Sequence, residues 1–305
     1  MCETGTLGVP EFGTKFVIEM LKDTKPTTFA ELVKISGLSH GTDVWLGNAK
    51  DLILNKTCEF KDVIGCRDDI MVYLMYHGVK PLDAFKIMEF VRKGKASKDA
   101  EQWAEYKKIM IDANIEDWFI NTCYKIKYMF PKAHATAYVM MGYRVAWFKV
   151  YRPIEYYSTY FSVRSSDFDI ETMIEGYEAI KNKIFEINNK GYDATNKEIS
   201  ILGALEIALE MTARGFKFTN IDLNKSDAVN FVIDEDRKTL IPPFRTIDGL
   251  GDTVAKKIIE EREIRPFLSI EDLQVKAKIS VTTIAKMKTM GILDNMDESN
   301  QLSLF

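Results

Sequence analysis

From Lys61 to Val150 the chain keeps returning to one pattern. Apolar side chains fall three and four residues apart in DDIMVYLMYHG, PLDAFKIMEFVRKGK, DAEQWAEYKKIMIDANI and DWFINTCYKIKYMF. That spacing gathers the apolar groups on one face of an α-helix. Strand-like runs are confined to FKFTNIDL, AVNFVID and KTLIPPF, bounded by polar turns at 224–227 and 234–236. The expectation is a mainly α fold with a small β hairpin or sheet near 217–244. After Pro242 and Pro243 the pattern turns helical again in short units.

The punctuation adds detail. Gly5, Gly8, Pro10 and Gly13 mark a loop, and helical spacing starts at KFVIEMLKD. Such a start reads either as a ragged terminus or as a chain that begins inside a larger fold. Thr28 and Glu31 form a capping box that opens a helix, which Gly37 is expected to close. Gly78 and Pro81 separate two further helices. Residues 169–189 read as one helix and 197–214 as another.

A chain of 305 residues has room for about two domains. With 41 basic and 45 acidic residues it is not globally basic, so a nucleic-acid site has to be local. Its four cysteines, Cys2, Cys58, Cys66 and Cys123, show neither a CxxC pair nor a nearby histidine, which points to reduced thiols and no zinc site. The longest apolar stretch, 137–150, is interrupted by Arg144 and Lys149, so no membrane span is expected. These features read as a cytoplasmic protein.

Residues 119–154 are the most informative segment. They hold Lys125, Lys127, Lys132, Arg144, Lys149 and Arg152 with no acidic residue, interleaved with Tyr124, Tyr128, Phe130, Tyr138, Tyr143, Trp147 and Phe148. Cations suit phosphates and flat rings suit bases. His134 and Tyr138 fall one helical turn apart. The competing reading is a core helix whose lysines reach to solvent. A second segment, Gly37-Leu38-Ser39-His40-Gly41-Thr42-Asp43, brackets polar groups with glycines. It is either a turn that frees N–H groups for a phosphate or base, or a helix C-cap followed by an N-cap at Thr42 or Asp43.

A third segment, Ile247-Asp248-Gly249-Leu250-Gly251, precedes a helical run. An apolar-Gly-apolar-Gly turn between two helices marks a helix–hairpin–helix, whose N–H groups meet one DNA phosphate without reading sequence. Lys256 and Lys257 follow, placed for neighbouring phosphates. Residues 267–290 have the length of a second unit, but its turn, Lys278-Ile279-Ser280, lacks the glycine pair. At the C-terminus, Leu302, Leu304 and Phe305 follow the polar run 295–300. Apolar residues at the end of a flexible linker suit a partner's pocket. Asp167-Phe168-Asp169 could hold metals but sits just before a helix, and capping is the preferred reading. Asp68 and Asp69 likewise read as a helix start. No catalytic centre is visible.

Together these segments resemble the C-terminal part of the PolC-type DNA polymerase III alpha subunit, the Gram-positive replicative polymerase. The residues that carry the resemblance are LGVPEFG (7–13), ISGLSHGTDVWLGN (35–48), VIGCRDD (63–69), MFPKAHATAY (129–138), 146–164, LIPPF (240–244), the GLG turn (249–251) and the terminal QLSLF. Residues 130–138 are also similar to a segment of the DnaE class. The resemblance implies a polymerase fingers region over 1–230, a tandem helix–hairpin–helix region gripping duplex DNA over 231–295, and a flexible tail over 296–305. It implies nucleotide contacts from Ser39, His40, Asp43, Arg67, Lys132 and His134. It places Arg92, Lys93, Lys125, Lys127, Gly249, Leu250, Gly251, Lys256 and Lys257 at DNA. It assigns Gln301, Leu302, Leu304 and Phe305 to a sliding clamp.

The partners implied are primer-template DNA, an incoming deoxynucleoside triphosphate, the clamp and the remaining polymerase domains. The family's palm, whose aspartates hold two Mg²⁺ ions, is expected outside this sequence. The chain itself is expected to bind no metal and, alone, to be inactive, because phosphoryl transfer needs metal-aligned oxygens. The alternative is a free-standing DNA- and clamp-binding accessory protein. A third reading is a helical scaffold carrying a helix–hairpin–helix module.

Overall fold

The computed structural model describes residues 3–299 and divides the chain into two compact units, one up to Ala146 and one from Trp147 onward.

In the first unit the loop 4–13 buries Val9 and Phe12. Gly142 lets it do so: a Cβ there would lie 2.6 Å from the Pro10 carbonyl oxygen. Thr14 caps helix α1 (Lys15–Thr24) by accepting from the Val17 N–H. Helix α2 (Phe29–His40) opens on the expected box. Thr28 Oγ1 accepts from the Glu31 N–H, and the Glu31 carboxylate accepts from the Thr28 N–H. Gly37 does not end this helix; Gly41 caps it. Gly37 is required inside it because a Cβ would lie 2.4 Å from both Cys66 Sγ and the Gly65 carbonyl oxygen.

Short helix α3 (Lys50–Leu54) follows a kinked turn with Gly47 at φ +69°. Helix α4 (Arg67–Tyr76) packs on α5 (Pro81–Arg92). The Asp69 carboxylate accepts from the Gly65 and Cys66 N–H groups at the start of α4, so the carboxylates of RDD do open a helix. Helices α6 (Ala100–Asp112) and α7 (Asp117–Lys125) complete the surround. Ile64, Ile70, Leu74, Ile87, Phe119, Cys123 and Ile126 are fully buried between these elements. Each buried side chain of this size contributes about 1.5–3 kcal/mol.

Helix α8 (Lys132–Tyr151) contains the division between the units, and α9 (Pro153–Val163) follows. Residues 169–189 are not one helix. Gly176 at φ +88° separates α10 (Ile170–Met173) from α11 (Tyr177–Lys190). Asp169 stands at the α10 N-cap, but its carboxylate accepts from Thr172 Oγ1 and from no backbone N–H. Helix α12 (Asn196–Ala213) packs on α11.

The expected sheet lies where the sequence places it. Its strands are β1 (Lys217–Phe218), β2 (Val232–Ile233) and β3 (Thr239–Ile241), in the order β1-β3-β2. β2 and β3 form an antiparallel hairpin, and β1 lies parallel to β3 with Phe218 opposite Leu240. Phe161, Phe168, Phe218 and Phe231 cluster beneath it, with neighbouring centroids 4.8–6.1 Å apart.

The chain ends in α13 (Asp252–Ile264), α14 (Ile270–Ala277) and α15 (Val281–Thr289). Two expectations change here. Only one turn of 3₁₀ helix, Phe244–Thr246, precedes the glycine turn, in place of a full helix. The described part of the acidic run, 295–299, is not simply a loose linker. The Asp297 and Glu298 carbonyls accept from the Ile270 and Glu271 N–H groups, satisfying free donors at the start of α14. Lys288 also binds the Glu298 carboxylate at 2.7 Å.

Candidate nucleotide and duplex interface

The two segments singled out in the first unit lie side by side. The Thr42 N–H donates to the Tyr128 carbonyl (2.9 Å), and the Lys127 N–H donates to the Thr42 carbonyl (3.1 Å). No helix begins at Thr42 or Asp43, so the second-cap reading of that loop does not hold. Asn48 is buried and fixes the loop from inside, donating from Nδ2 to the Asp43 carbonyl at 2.9 Å.

Two more strands of backbone close on the same place. The Arg67 N–H donates to the Phe130 carbonyl, and the Met129 N–H to the Arg92 carbonyl. Gly94, at φ +65°, permits the last approach, because a Cβ there would lie 2.4 Å from the Lys127 carbonyl oxygen. The start of α4, the end of α5, the turn after α2 and the start of α8 therefore converge.

On this frame the rings assemble. His40 stacks on Phe130 with centroids 4.8 Å apart. His134 meets Phe130 edge-on at 5.9 Å, and Tyr138 lies over Phe130 at 6.3 Å. His40 Nε2 lies 2.8 Å from Glu11 Oε2, which also accepts from Ser36 Oγ at 3.0 Å. Ser39 does not face outward as a free hydroxyl; it donates to the Ser36 carbonyl at 2.9 Å.

The cations surround the rings. Glu89 faces three of them: Arg92, which also donates from Nη2 at 2.8 Å, Lys93 at 3.1 Å and Arg67 at 3.5 Å. The Arg92 hydrogen bonds, reinforced by Lys93, hold the Glu89 carboxyl at about 2 despite its partial burial. Arg67 also lies 4.0 Å from Asp68, so two carboxylates face three cations and a local surplus of positive charge remains. Arg67 Nε is shielded from solvent and donates to no group among the described residues. Lys132 pairs with Asp69 at 3.0 Å, and its N–H donates to Asp68. Lys127 pairs with Asp43 at 2.5 Å, and Lys125 donates to the Gly47 carbonyl at 2.8 Å.

In the second unit Gly249 takes φ +89°, which only glycine adopts without strain, and Gly251 is the N-cap of α13. The Leu250 N–H is used internally, by the Ile247 carbonyl. The N–H groups of Gly249 and Gly251 donate to no group among the described residues. Lys256 is exposed and without an ion pair there, whereas Lys257 is engaged by Glu260 and Glu261. The turn lines a groove of about 1070 Å³ together with Lys183, Lys197, Arg245 and Lys286. Lys149, in the basic segment, is not a surface cation: it is buried and pairs with Glu210.

Glu89, Gly94, Asn48 and Glu11 were missed from sequence. Glu89 had a signal, lying three and four residues before Arg92 and Lys93 on one helix. The others act only through tertiary contacts. Gln301, Leu302, Leu304 and Phe305 lie outside the described residues. Among the described residues no three His, Cys, Asp or Glu side chains form a metal site, and no helix is long and apolar enough to cross a membrane.

Comparison with known proteins supplies the context. Residues 1–114 match the bacterial DNA polymerase III alpha subunit finger domain, and residues 215–302 match the helix-hairpin-helix motif. The chain is 57% identical over 305 residues to the PolC-type DNA polymerase III of Halalkalibacterium halodurans, covering 100% of this chain and 21% of that protein. It is 57% identical over 304 residues to that of Bacillus subtilis, with the same coverage. For Staphylococcus haemolyticus the identity is 54% over 305 residues, again 100% against 21%. The chain thus spans about one-fifth of the length of these relatives.

Proposed function

The chain belongs to the PolC-type DNA polymerase III family, and from that premise we propose that it holds substrates for DNA-templated DNA synthesis. In this reading residues 1–230 act as the fingers, positioning the incoming deoxynucleoside triphosphate against the templating base. Residues 231–295 grip the primer-template duplex, and Gln301, Leu302, Leu304 and Phe305 attach to a sliding clamp. The place of work is the bacterial cytoplasm, at the replisome.

One observation carries the nucleotide part. The Thr42–Tyr128 bridge brings two distant segments together so that a ring stack is bordered by a surplus of cations. Rings accept a base, and Arg67, Arg92, Lys93 and Lys132 offer charge-assisted hydrogen bonds to phosphates. The exchange is favourable because Glu89 and Asp68 do not neutralise three cations, and a triphosphate supplies the missing negative charge. His40 and His134 present ring edges, and Asp43 steers Lys127 at the rim.

Mg²⁺ belongs to the polymerase reaction, but the described residues do not form a site that fits it, so we assign the metal-dependent step to other parts of the polymerase. What these residues do is bind, orient and neutralise.

The test is binding of a deoxynucleoside triphosphate and of duplex DNA by the chain, with Arg67→Ala and Lys132→Ala as probes of the first ligand. Each variant should weaken triphosphate binding about tenfold and leave duplex binding nearly unchanged. Unchanged triphosphate affinity in both variants would overturn the assignment. Primer extension by the chain alone should be absent.

A further inference from the structure

We propose that the two hairpins of the second unit build one phosphate seat between them. The seat lies at Gly249–Gly251, and Lys286 of the second hairpin is its cation. This rests on reading the glycine turn as a duplex contact and adds the residue that completes it.

The second hairpin is the poorer seat on its own, because it lacks the glycine pair and the first N–H groups of its turn are already spent. The Lys278 and Ile279 N–H groups both donate to the Gln274 carbonyl, and Ser280 Oγ accepts from the Thr283 N–H. Lys278 at φ +54° takes the left-handed position where a glycine would be expected. The turn is a closed C-cap followed directly by an N-cap, which among the described residues leaves only the N–H groups of Ser280, Val281 and Thr282 without an acceptor, on a turn that has no glycine pair.

Its second helix instead reaches back to the first turn. Lys286, on α15, donates from Nζ to the Asp248 carbonyl at 3.0 Å and to the Asp248 carboxylate at 2.7 Å. The same Nζ lies 4.0 Å from the place a Cβ would take on Gly249. Among the described residues no other side-chain or backbone heavy atom comes that close to this point, the adjoining residues aside. The ammonium group thus stands at the Gly249 turn, whose Gly249 and Gly251 N–H groups donate to nothing among the described residues.

Asp248 sets the resting state. Its carboxylate is largely exposed next to the turn and would repel a phosphate, but Lys286 holds its pKa below the usual range and neutralises it. Lys197, from the start of α12, adds to the positive potential at Asp248. A phosphate arriving at the Gly249 and Gly251 N–H groups competes with Asp248 for the same ammonium. Lys286 can keep its bond to the Asp248 carbonyl and turn its remaining protons to the phosphate.

The experiment measures binding of a short blunt duplex of arbitrary sequence across a salt series. Lys286→Gln should lower affinity about tenfold and reduce the slope of log K against log salt by about 0.9, the signature of one lost phosphate contact. Lys286→Arg should restore most of both. Asp248→Asn should tighten binding by removing the competitor. Lys288→Gln, on the same helix but paired with Glu298, should change neither quantity.

Gly251→Val separates the two levels of the claim. A Cβ there meets nothing within 4 Å among the described residues, so the fold tolerates it while access to the N–H groups is blocked. If Gly251→Val leaves binding intact, the glycine turn is not a phosphate seat and both readings fall. If Gly251→Val weakens binding but Lys286→Gln changes neither affinity nor slope, only the shared seat falls. Should Lys286→Gln unfold, Asp248→Asn still decides: tighter binding supports the shared seat, and weaker binding overturns it.

Discussion

His40 and Phe130 stack with ring centroids 4.8 Å apart and planes inclined by 29°. One ring ends α2 and the other precedes α8. Their contact joins two segments that read, in sequence, as separate clusters of polar and aromatic residues. Glu11 braces the outer side of the pair: it sits at φ +70° in the N-terminal loop, and its carboxylate meets both His40 and Ser36. The loop, the helix end and the basic segment therefore form one surface.

His40→Ala should reduce triphosphate affinity several-fold with a stability loss below about 1 kcal/mol, because the ring is exposed and its removal leaves no cavity. Phe130→Ala should do both. It is half-buried between His40 and His134, and truncation should cost about 1–3 kcal/mol as well as affinity. Urea unfolding and a triphosphate titration on the two variants distinguish these outcomes. Equal effects of both variants on stability, with affinity untouched, would make the stack a structural element only.

Gly37→Ala should destabilise the first unit by about 1–3 kcal/mol despite the higher helix propensity of alanine. The added methyl would lie 2.4 Å from both Cys66 Sγ and the backbone oxygen of Gly65, and backbone cannot step aside cheaply. Gly203 is the internal control. It also lies within a helix, but a Cβ there meets nothing within 4 Å, so Gly203→Ala should be neutral or stabilising. The denaturation midpoint of Gly37→Ala should fall while that of Gly203→Ala holds or rises.

Glu89 makes stability depend on acid. An ordinary glutamate titrates near 4.5, whereas the Arg92 side chain, helped by Lys93, holds this one at about 2 in the folded chain. A carboxylate lowered on folding adds stability that is complete above the unfolded value. That stability is lost as pH falls from about 4.5 toward 2. In Glu89→Gln the difference between stability at pH 6 and at pH 3, taken as round values spanning that window, should therefore be smaller than in the parent chain. Parallel curves for the two proteins would show that the ion cluster does not couple to folding.

Much of this architecture was legible because it depends on local rules. The Thr28–Glu31 box, the acidic start of α4, the α12 span and the three strands around 217–241 all follow from spacing and capping chemistry. The misreadings share one cause. Gly37 looked like a helix stop because a glycine in a helix usually weakens it, and only the approach of Gly65 and Cys66 explains its presence. The acidic run after Asn295 looked solvated because its side chains are polar, yet its carbonyls cap α14. Of the candidate site, the residue types were visible and the partners were not. Nothing local pairs Lys286 with Asp248, or Thr42 with Tyr128.

The tail gives the last prediction. Leu302, Leu304 and Phe305 follow a polar run and are, in the proposed function, the apolar anchor for the clamp. The backbone just before them is tied down, with Asp297 and Glu298 bonded to the start of α14 and Glu298 to Lys288. An anchor that leaves from a fixed point has a short tether, which raises its effective concentration at a clamp already threaded on the same duplex. Deleting residues 301–305 should abolish binding to a sliding clamp and leave duplex affinity unchanged. Glu298→Lys should keep clamp binding by the isolated chain but weaken the joint clamp–duplex complex, because it loosens the tether without touching the anchor. Surface-plasmon-resonance titrations with clamp alone and with clamp on DNA separate the two effects. Clamp binding that survives the deletion would place the contact elsewhere on the chain.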